Sequence, residues 1–280
     1  MPLTSPRLWV VATPLGNPGD FSPRAREALK SADLVLVEDT RRASRLFAQH
    51  KIPAKKFLSF YEHNEHERQE SLLELLRAGQ TLALISDAGT PLLADPGYRL
   101  VRACRKEGIP VSPIPGPSAP AAALSVAGIP PIPYIFLGFL PRDQAGRERL
   151  FAAFAEAQAS LVFFERKNRL KQSLALAHRA LGARDMAICR EMTKTHEEFL
   201  LIRLEEHDAL SDNFLGEITV LVGPPETITR TPDDDVRQLL QTRLVPHEKP
   251  RDTVRRIQYA VQGWTTKELY ALVSENRTES

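Results

Sequence analysis

The stretch that decides the fold is SDAGTPLLADPG, residues 86–97, which directly follows the apolar run TLALI at 81–85. A short apolar run bounded by turn-forming residues predicts a buried strand. Open α/β sheets bind their ligands in loops at the carboxyl ends of such strands. Phosphate-binding loops are rich in glycine and offer backbone N–H groups, whereas this loop carries Asp87 and Asp95. The stretch therefore predicts an α/β sheet with a ligand that is not held by phosphate groups.

Strands and helices alternate on both sides of this loop, which is typical of a parallel sheet with helical crossovers. Ser22 and Pro23 predict the start of the first helix. Asn64 is expected to cap the helix that Gly79 ends. These patterns predict a doubly wound α/β domain over 1–116, with strands at 8–12, 34–39, 57–61, 81–85 and 109–116.

A second α/β domain is expected over 117–224, because the alternation resumes after the turn-rich segment PIPGPSAP at 113–120. The two strands predicted at 197–204 and 216–223 are expected to be more exposed than the others, and they are the candidates for antiparallel pairing. The remaining strands of this domain are predicted at 134–140, 161–165 and 186–191.

The segment 233–280 differs from both domains because it has no strand pattern. Helices are predicted after Asp233, from about 250 to 261, and after Thr265, which forms a capping box with Glu268. Two interpretations stay open for this extension. It is either a helix-turn-helix unit or a helical hairpin that packs on the second domain. The residues from 224 to 235 are expected to be a linker.

Composition excludes several classes of protein. The 280 residues hold 37 Lys and Arg against 35 Asp and Glu, a net charge of +2, so global charge does not call for nucleic acid. Cys104 and Cys189 lie far apart in apolar contexts, which favours two buried thiols. No apolar run approaches the roughly 18 residues of a membrane-spanning helix, and the first residues lack a signal-peptide core. A cytoplasmic protein without membrane association is therefore expected.

Acidic residues at the predicted strand ends give the first indication of a ligand. Glu38, Asp39 and Asp87 would repel a phosphate but suit a ligand with hydroxyls or positive charge. S-adenosylmethionine fits, because it has ribose hydroxyls, an ammonium and a sulfonium but no phosphate. The alternative is that these acids cap the helices that follow them, Asp39 above all.

Several motifs occur in the order found in one known group of enzymes. The chain resembles the tetrapyrrole methylase superfamily and, within it, the family of bacterial 16S ribosomal RNA 2'-O-ribose methyltransferases. The resemblance is dense over about 8–222 and loose beyond. The motifs are VVATPLGNPGDFSPRAREAL (10–29), ADLVLVEDTR (32–41), FYEHNE (60–65), ALISDAGTPLLADPGYRLVRAC (83–104), VSPIPGPSAPAAALSVAG (111–128), FLGFLPR (136–142) and REMTKTHEEF (190–199).

The resemblance implies two α/β domains with S-adenosylmethionine in the cleft between them. It further implies methylation of a cytidine in the decoding centre of 16S ribosomal RNA, with the small ribosomal subunit as partner and a homodimer as the assembly. The superfamily's cofactor contacts fall on Pro14, Ser86, Asp87, Ala88, Ser118, Ala119, Glu165 and Met192. One departure follows Glu165, where Arg166-Lys167-Asn168 replaces the family's usual Ser-Pro-His. Any contact that the family's histidine makes has no matching histidine here, and the added positive charge suits RNA.

Methyl transfer to a hydroxyl is an in-line displacement, so alignment of the partners dominates and a base adds a moderate factor. The candidates for this base are Glu38, Glu65 and Glu191, and the sequence does not choose among them. Lys194 and Arg41 are placed to hold phosphate or to lower a neighbour's pKa.

A basic run predicts the RNA-binding surface. Residues 41–61 hold six Lys and Arg and no acid, with four aromatic residues interleaved. Phosphate attraction and stacking on an extruded base hold single-stranded RNA in this way. The alternative is a basic helix face over core aromatics, and Phe57 and Phe60 are expected in the core. The residues expected to face RNA are Arg41, Arg42, Arg45, Lys55, Lys56 and Lys194, with Arg251 and Arg255 in the extension.

A metal site and two other functions are the alternatives to RNA methylation without a metal. His63 and His66 lie three residues apart beside carboxylates, but HExxH spacing is absent, so no metal is expected. A methylase of tetrapyrrole or corrinoid precursors would share the cofactor cleft, and the basic run argues against it. A non-catalytic RNA-binding module is the third alternative.

Overall fold

The computed structural model describes residues 7–211, 214–226, 230–243 and 248–278. Its first sheet is parallel throughout, with the strand order β3-β2-β4-β1-β5. This confirms the predicted doubly wound unit. The strands are β1 (Leu8–Val11), β2 (Leu34–Val37), β3 (Phe57–Ser59), β4 (Leu82–Ile85) and β5 (Val111–Ile114).

Helices cover both faces of this sheet because its central strands are apolar at every position. Trp9, Val35 and Ala83 face one hydrophobic cluster, and their neighbours Leu8 and Leu36 face another. Alternate residues of a strand point to opposite faces, so uninterrupted apolar runs fill both layers. The helices are α1 (Pro23–Ser31), α2 (Thr40–Gln49), α3 (Glu65–Arg77) and α4 (Tyr98–Lys106), and a short 3-10 helix spans Pro18–Asp20.

Two of the predicted helix caps have different outcomes. Ser22 Oγ accepts the Ala25 N–H at 3.0 Å, which confirms the cap of α1. Asn64 precedes α3 as expected, but its side chain does not cap that helix. It accepts the Tyr61 N–H at 2.8 Å and donates to the Ser59 carbonyl at 3.1 Å, because the turn after β3 offers nearer partners.

The second sheet has the order β6-β7-β10-β8-β9, and all its pairs are antiparallel except β6 with β7. The expected antiparallel pairing is confirmed. The expectation that the strand at 216–223 is exposed is wrong, because that strand pairs on both sides and is buried at every position. The strands are β6 (Tyr134–Phe139), β7 (Ser160–Glu165), β8 (Asp185–Arg190), β9 (Glu198–Arg203) and β10 (Ile218–Val222).

The helices of this half pack on the two faces of the second sheet. Phe151 of α6 and Leu174 of α7 share a buried cluster with Phe163 of β7. Ala123 of α5 packs with Val162 in a separate cluster. These helices are α5 (Ala119–Val126), α6 (Gln144–Ala153) and α7 (Leu170–Leu181), and a 3-10 helix spans Leu204–Ala209.

The C-terminal extension contains α8 (Asp233–Arg243), α9 (Pro250–Ile257), a 3-10 turn at Gln258–Ala260, and α10 (Thr266–Thr278). The capping box is confirmed, since Thr265 N donates to Glu268 Oε2 and Glu268 N donates to Thr265 Oγ1. These helices bury a hydrophobic cluster of their own, which consists of Val236, Leu240, Val254, Ile257, Leu269, Leu272 and Val273. This cluster favours a separately packed unit. Of the expected linker, 227–229 lie outside the described residues. Within the described ranges, none of the helices is long and apolar enough to cross a membrane.

Candidate active site

Three loops of the first domain are joined into one wall at the carboxyl edge of its sheet. Thr13 and Gly89 pair backbone to backbone, with N···O distances of 2.9 and 3.1 Å. Thr13 Oγ1 donates to the Ser86 carbonyl at 3.2 Å, and Thr90 Oγ1 donates to the Pro117 carbonyl at 2.9 Å. Gly89 has a φ of +80°, and a Cβ there would lie 3.1 Å from Leu15 Cδ2. Glycine is therefore needed where the loops after β1, β4 and β5 meet.

A cleft of about 870 Å³ lies between this wall and the second domain. That volume is in the range of sites for small ligands. The structure brings together here most of the predicted cofactor-binding residues: Asp87, Ala88, Ser118, Ala119, Glu165 and Met192. It also adds lining residues that the sequence did not single out for this site: Thr90, Phe139, Phe164, Glu217, Ile218 and Thr219.

Two of the predicted contacts lie behind the lining. Ser86 is buried, and its hydroxyl donates at 3.3 Å to the carbonyls of Ala88 and Gly89. Its side chain therefore braces the loop. Pro14 is half-buried and directly precedes Leu15, which does line the cleft.

Three carboxyl groups form an acidic cluster in the cleft, made of Glu38, Asp87 and Asp95. Glu38 Oε1 accepts the Asp87 N–H at 3.2 Å. Burial, and then the charge of Asp95, raise the pKa of Glu38 to about 7. Burial raises the pKa of Asp95 to about 6. It also raises the pKa of Asp87, although Arg42 Nη1 lies 3.3 Å from its Oδ2 and opposes the shift.

Asp39 does not belong to this cluster. Its Oδ1 accepts the N–H groups of Arg41 and Arg42 at 2.7 and 3.3 Å, so it caps α2. Of the two interpretations of the acids, capping is right for Asp39.

Glu65 is buried outside the cleft lining. Its Oε1 accepts the N–H groups of Gly97 and Arg99 at 3.2 and 2.9 Å. It thus ties the start of α3 to the start of α4, and the structure does not bring it to the other candidate bases.

Glu191 lies in an ion cluster at the joint between the domains. Its Oε1 is 3.0 Å from Lys194 Nζ and accepts the Glu217 N–H at 2.8 Å. Burial opposes ionisation of Glu191, but the Glu217 N–H and Lys194 outweigh it, so its pKa lies below the usual value.

Lys194 is held in the same joint, and Glu217 Oε2 is its second partner at 3.0 Å. A Cβ at Gly16 would clash with Lys194 Cγ, and Asn17 N donates to Thr193 Oγ1 at 3.1 Å. Lys194 therefore connects the two domains and is already paired with two carboxylates.

Glu165 is fully engaged by donors from its own surroundings. Its Oε1 accepts from Arg169 Nη2 at 2.6 Å and from the Arg166 N–H at 2.7 Å, and its Oε2 accepts from Ser173 Oγ at 2.5 Å. Arg169 also donates to the Leu140 carbonyl. Glu165 therefore fixes the ends of β6 and β7, and the departure residues Arg166, Lys167 and Asn168 line the cleft beside it.

Comparison with known proteins identifies the family of this chain. Residues 7–208 match the model of the Tetrapyrrole (Corrin/Porphyrin) Methylases. The chain belongs to this family.

Relatives of the methylase are similar over most of their length. "Ribosomal RNA small subunit methyltransferase I" of Mesorhizobium japonicum is 46% identical over 84% of this chain and 81% of the relative. The protein with that name in Mycobacterium tuberculosis (strain ATCC 25618 / H37Rv) is 39% identical over 99% and 98%.

Solved structures agree in fold. The methyltransferase CobJ superposes with a TM-score of 0.61 at 18% identity, covering 79% of this chain and 95% of CobJ. Diphthine synthase superposes with a TM-score of 0.62 at 16% identity, covering 77% and 89%. At such identities the likeness concerns the fold alone.

The predicted RNA-facing residues of the methylase lie mostly at its surface. Arg41, Arg42 and Arg45 are exposed on α2, Lys56 is exposed and Lys55 is half-buried before β3. Of the interleaved aromatics, Phe47 and Phe60 are buried, Phe57 is half-buried and Tyr61 is exposed. In the extension, Arg251 and Arg255 are exposed on α9. Across the part of the chain that the structure describes, no group of three or more His, Cys, Asp or Glu residues could hold a metal ion.

Proposed function

We propose that this methylase transfers a methyl group from S-adenosylmethionine to the 2'-hydroxyl of a cytidine in the decoding centre of 16S ribosomal RNA. The observation that carries the proposal is the acidic cluster in a cleft between the two domains. The relatives named ribosomal RNA small subunit methyltransferase I support the class of substrate.

The cleft fits the cofactor on chemical grounds. The carboxylate of Asp87 suits an ammonium and ribose hydroxyls. Ser118 is the N-cap of α5 and its side chain makes no capping hydrogen bond, and a helix N-terminus suits the carboxylate of the methionine part. Phe164, Met192 and Ile218 offer apolar surface for the adenine ring. When bound, the cofactor supplies a methyl group activated by its sulfonium.

Among the three candidate bases, we assign proton removal from the 2'-hydroxyl to Glu38. It lines the cleft, whereas Glu65 is tied to α4 and Glu191 is paired with Lys194. A general base works best when its pKa is near the operating pH, and the pKa of Glu38 is about 7. The walls of the two domains align the reactants and exclude water.

The RNA is held by cations outside the acidic cluster. Arg41, Arg45 and Lys56 are exposed and available to phosphates. Arg42 and Lys55 add further positive charge for the phosphates. Arg251 and Arg255 extend the RNA contact to the C-terminal unit. Lys194 contributes less than its position in the sequence suggested, because two carboxylates already neutralise it. We further propose a homodimer that acts on small ribosomal subunits in the cytoplasm.

A methylation assay tests the proposal. The purified protein is incubated with tritiated S-adenosylmethionine and either unmodified small ribosomal subunits or a tetrapyrrole. We expect label in 16S RNA, at one cytidine, and mass spectrometry of nuclease digests should find the methyl group on the ribose. Label on the tetrapyrrole would instead favour a corrinoid-precursor methylase. RNA binding without cofactor binding in calorimetry would favour a non-catalytic RNA-binding module.

A further inference from the structure

Three large apolar side chains are exposed on the segments that follow the carboxyl ends of β3 and β4, and one of them, Leu93, lines the cleft. Tyr61 is 45% exposed, Leu93 is 52% exposed and Tyr98 is 60% exposed. We call them the aromatic shelf. Exposed apolar surface grouped beside a binding cleft is a feature of interaction sites.

Backbone contacts fix the position of the shelf relative to Glu38. Phe60 N donates to the Val37 carbonyl at 2.7 Å and Val37 pairs with Ser59, so Glu38 lies opposite Phe60 and Tyr61 is the next residue along the chain. Leu93 itself lines the cleft. Tyr98 begins α4, three residues after Asp95 of the acidic cluster.

Glu65 holds the two tyrosines in one brace. Its N–H donates to the Tyr61 carbonyl at 3.0 Å, and its Oε1 accepts the N–H groups on either side of Tyr98, at Gly97 and Arg99. The Tyr98 hydroxyl also accepts from Arg102 Nη1 at 3.0 Å. The backbone at both tyrosines and the Tyr98 hydroxyl are therefore held in place, and such preorganisation lowers the entropic cost of binding.

The charge around the shelf indicates its occupant. Tyr61 ends the run 41–61, which holds six Lys and Arg and no acid, and Arg41 and Arg45 are exposed on α2. Rigid aromatic side chains interleaved with cations are the means by which proteins hold unpaired bases of RNA.

We infer that Tyr61 and Tyr98 stack on unpaired bases of the substrate RNA that flank the methylated nucleotide, and that this stacking turns its ribose toward Glu38. The inference rests on the proposed function, because it requires RNA as the substrate. It gives the buried Glu65 a positioning role in RNA binding.

The test measures RNA affinity without cofactor, using the full-length protein and a fluorescent hairpin with the sequence of the 16S decoding centre. The variants are Tyr61→Ala, Tyr98→Ala and the matching Tyr→Phe changes. Stacking is worth about 1–3 kcal/mol per base, so each alanine should weaken binding about 5- to 150-fold. The phenylalanine variants should bind like the wild type. S-adenosylhomocysteine affinity, measured by calorimetry, should be unchanged in all four.

Tyr134→Ala is the matched control, because Tyr134 is 48% exposed but lies on β6 of the other domain. It should leave RNA affinity unchanged. In one outcome, the wild type methylates RNA while the alanine variants of the shelf bind RNA as tightly as the wild type does. That result would refute stacking on the shelf and leave the proposed function intact. Phenylalanine variants as weak as the alanine variants would also overturn stacking. If the wild type neither binds nor methylates RNA, both proposals fail together.

Discussion

Replacing Glu38 with glutamine should remove the base of the reaction while leaving the fold in place. The glutamine side chain has the same shape, and its carbonyl oxygen can still accept the Asp87 N–H that Glu38 Oε1 accepts at 3.2 Å. The folded state disfavours the charged form of Glu38, because burial and Asp95 raise its pKa. Removing the charge therefore does not lower the free energy of unfolding above neutral pH.

The size of the effect follows from the pKa of Glu38. With a pKa of about 7, about one tenth of the groups are ionised at about pH 6 and about nine tenths at about pH 8. The wild-type rate should therefore rise about tenfold between those pH values and then level off. Loss of a general base lowers the reaction rate by a factor of about 10² to 10⁴. This factor corresponds to an increase of about 2.7 to 5.4 kcal/mol in the activation free energy.

The assay is single-turnover methylation of small ribosomal subunits at saturating S-adenosylmethionine, from about pH 5.5 to about pH 9. Glu38→Gln should lower the plateau and abolish the rising limb. Asp95→Asn is the companion variant. It removes a negative charge that raises the pKa of Glu38, so the rising limb should move to lower pH with the plateau retained. A Glu38→Gln enzyme with the wild-type rate and pH limb would refute the assignment. So would an unmoved limb in Asp95→Asn.

Four further changes test the cofactor site, the Glu165 ion pair and the C-terminal extension. Asp87→Ala and Ser118→Trp should each weaken S-adenosylmethionine binding at least about tenfold in calorimetry, since both residues line the cleft. The circular dichroism spectra should be unchanged. Wild-type affinity in both variants would exclude this cleft as the cofactor site. Glu165→Ala should lower the free energy of unfolding by about 3–5 kcal/mol in urea denaturation, because it leaves Arg169 without its buried partner; a loss below about 1 kcal/mol would contradict that pairing. A chain truncated after Pro232 should fold and bind cofactor, but bind RNA more weakly and with a shallower salt dependence, whereas aggregation would show that the extension covers the second domain.

The parallel sheet was predictable because its strands are short apolar runs separated by helix starts with strong local signals. Ser22 and Pro23 act on the residues directly after them, so the sequence around them suffices. The position of β10 was not predictable in this way. Its burial depends on pairing with β7 and β8, and β7 lies more than fifty residues away along the chain.

The acids of the candidate site show the same limit. Glu38 and Glu191 stand at predicted strand ends and Glu65 at a predicted helix start, but only the partners that folding brings to each one assign its role. Glu65 meets the N–H groups of α4, and Glu191 meets Glu217 and Lys194. No local sequence pattern predicts the role of a carboxylate whose hydrogen-bond donors lie about 30 residues away along the chain. An acidic residue at the end of a strand therefore predicts that the edge of a site lies nearby, but it does not predict the role of that residue in the site.

Arg42 links the acidic cleft to the basic helix, and this arrangement has an energetic consequence. It lines the cleft with its guanidinium 3.3 Å from Asp87, yet it belongs to the same helix as the exposed Arg41 and Arg45. Within the proposed function, an RNA phosphate that binds α2 would compete with Asp87 for Arg42. Loss of that cation leaves the Asp87 carboxylate uncompensated, and a cationic ligand then gains more by binding beside it. Coupling between two ligands is reciprocal, so within the proposed function the cofactor's positive charge favours release of Arg42 toward the RNA.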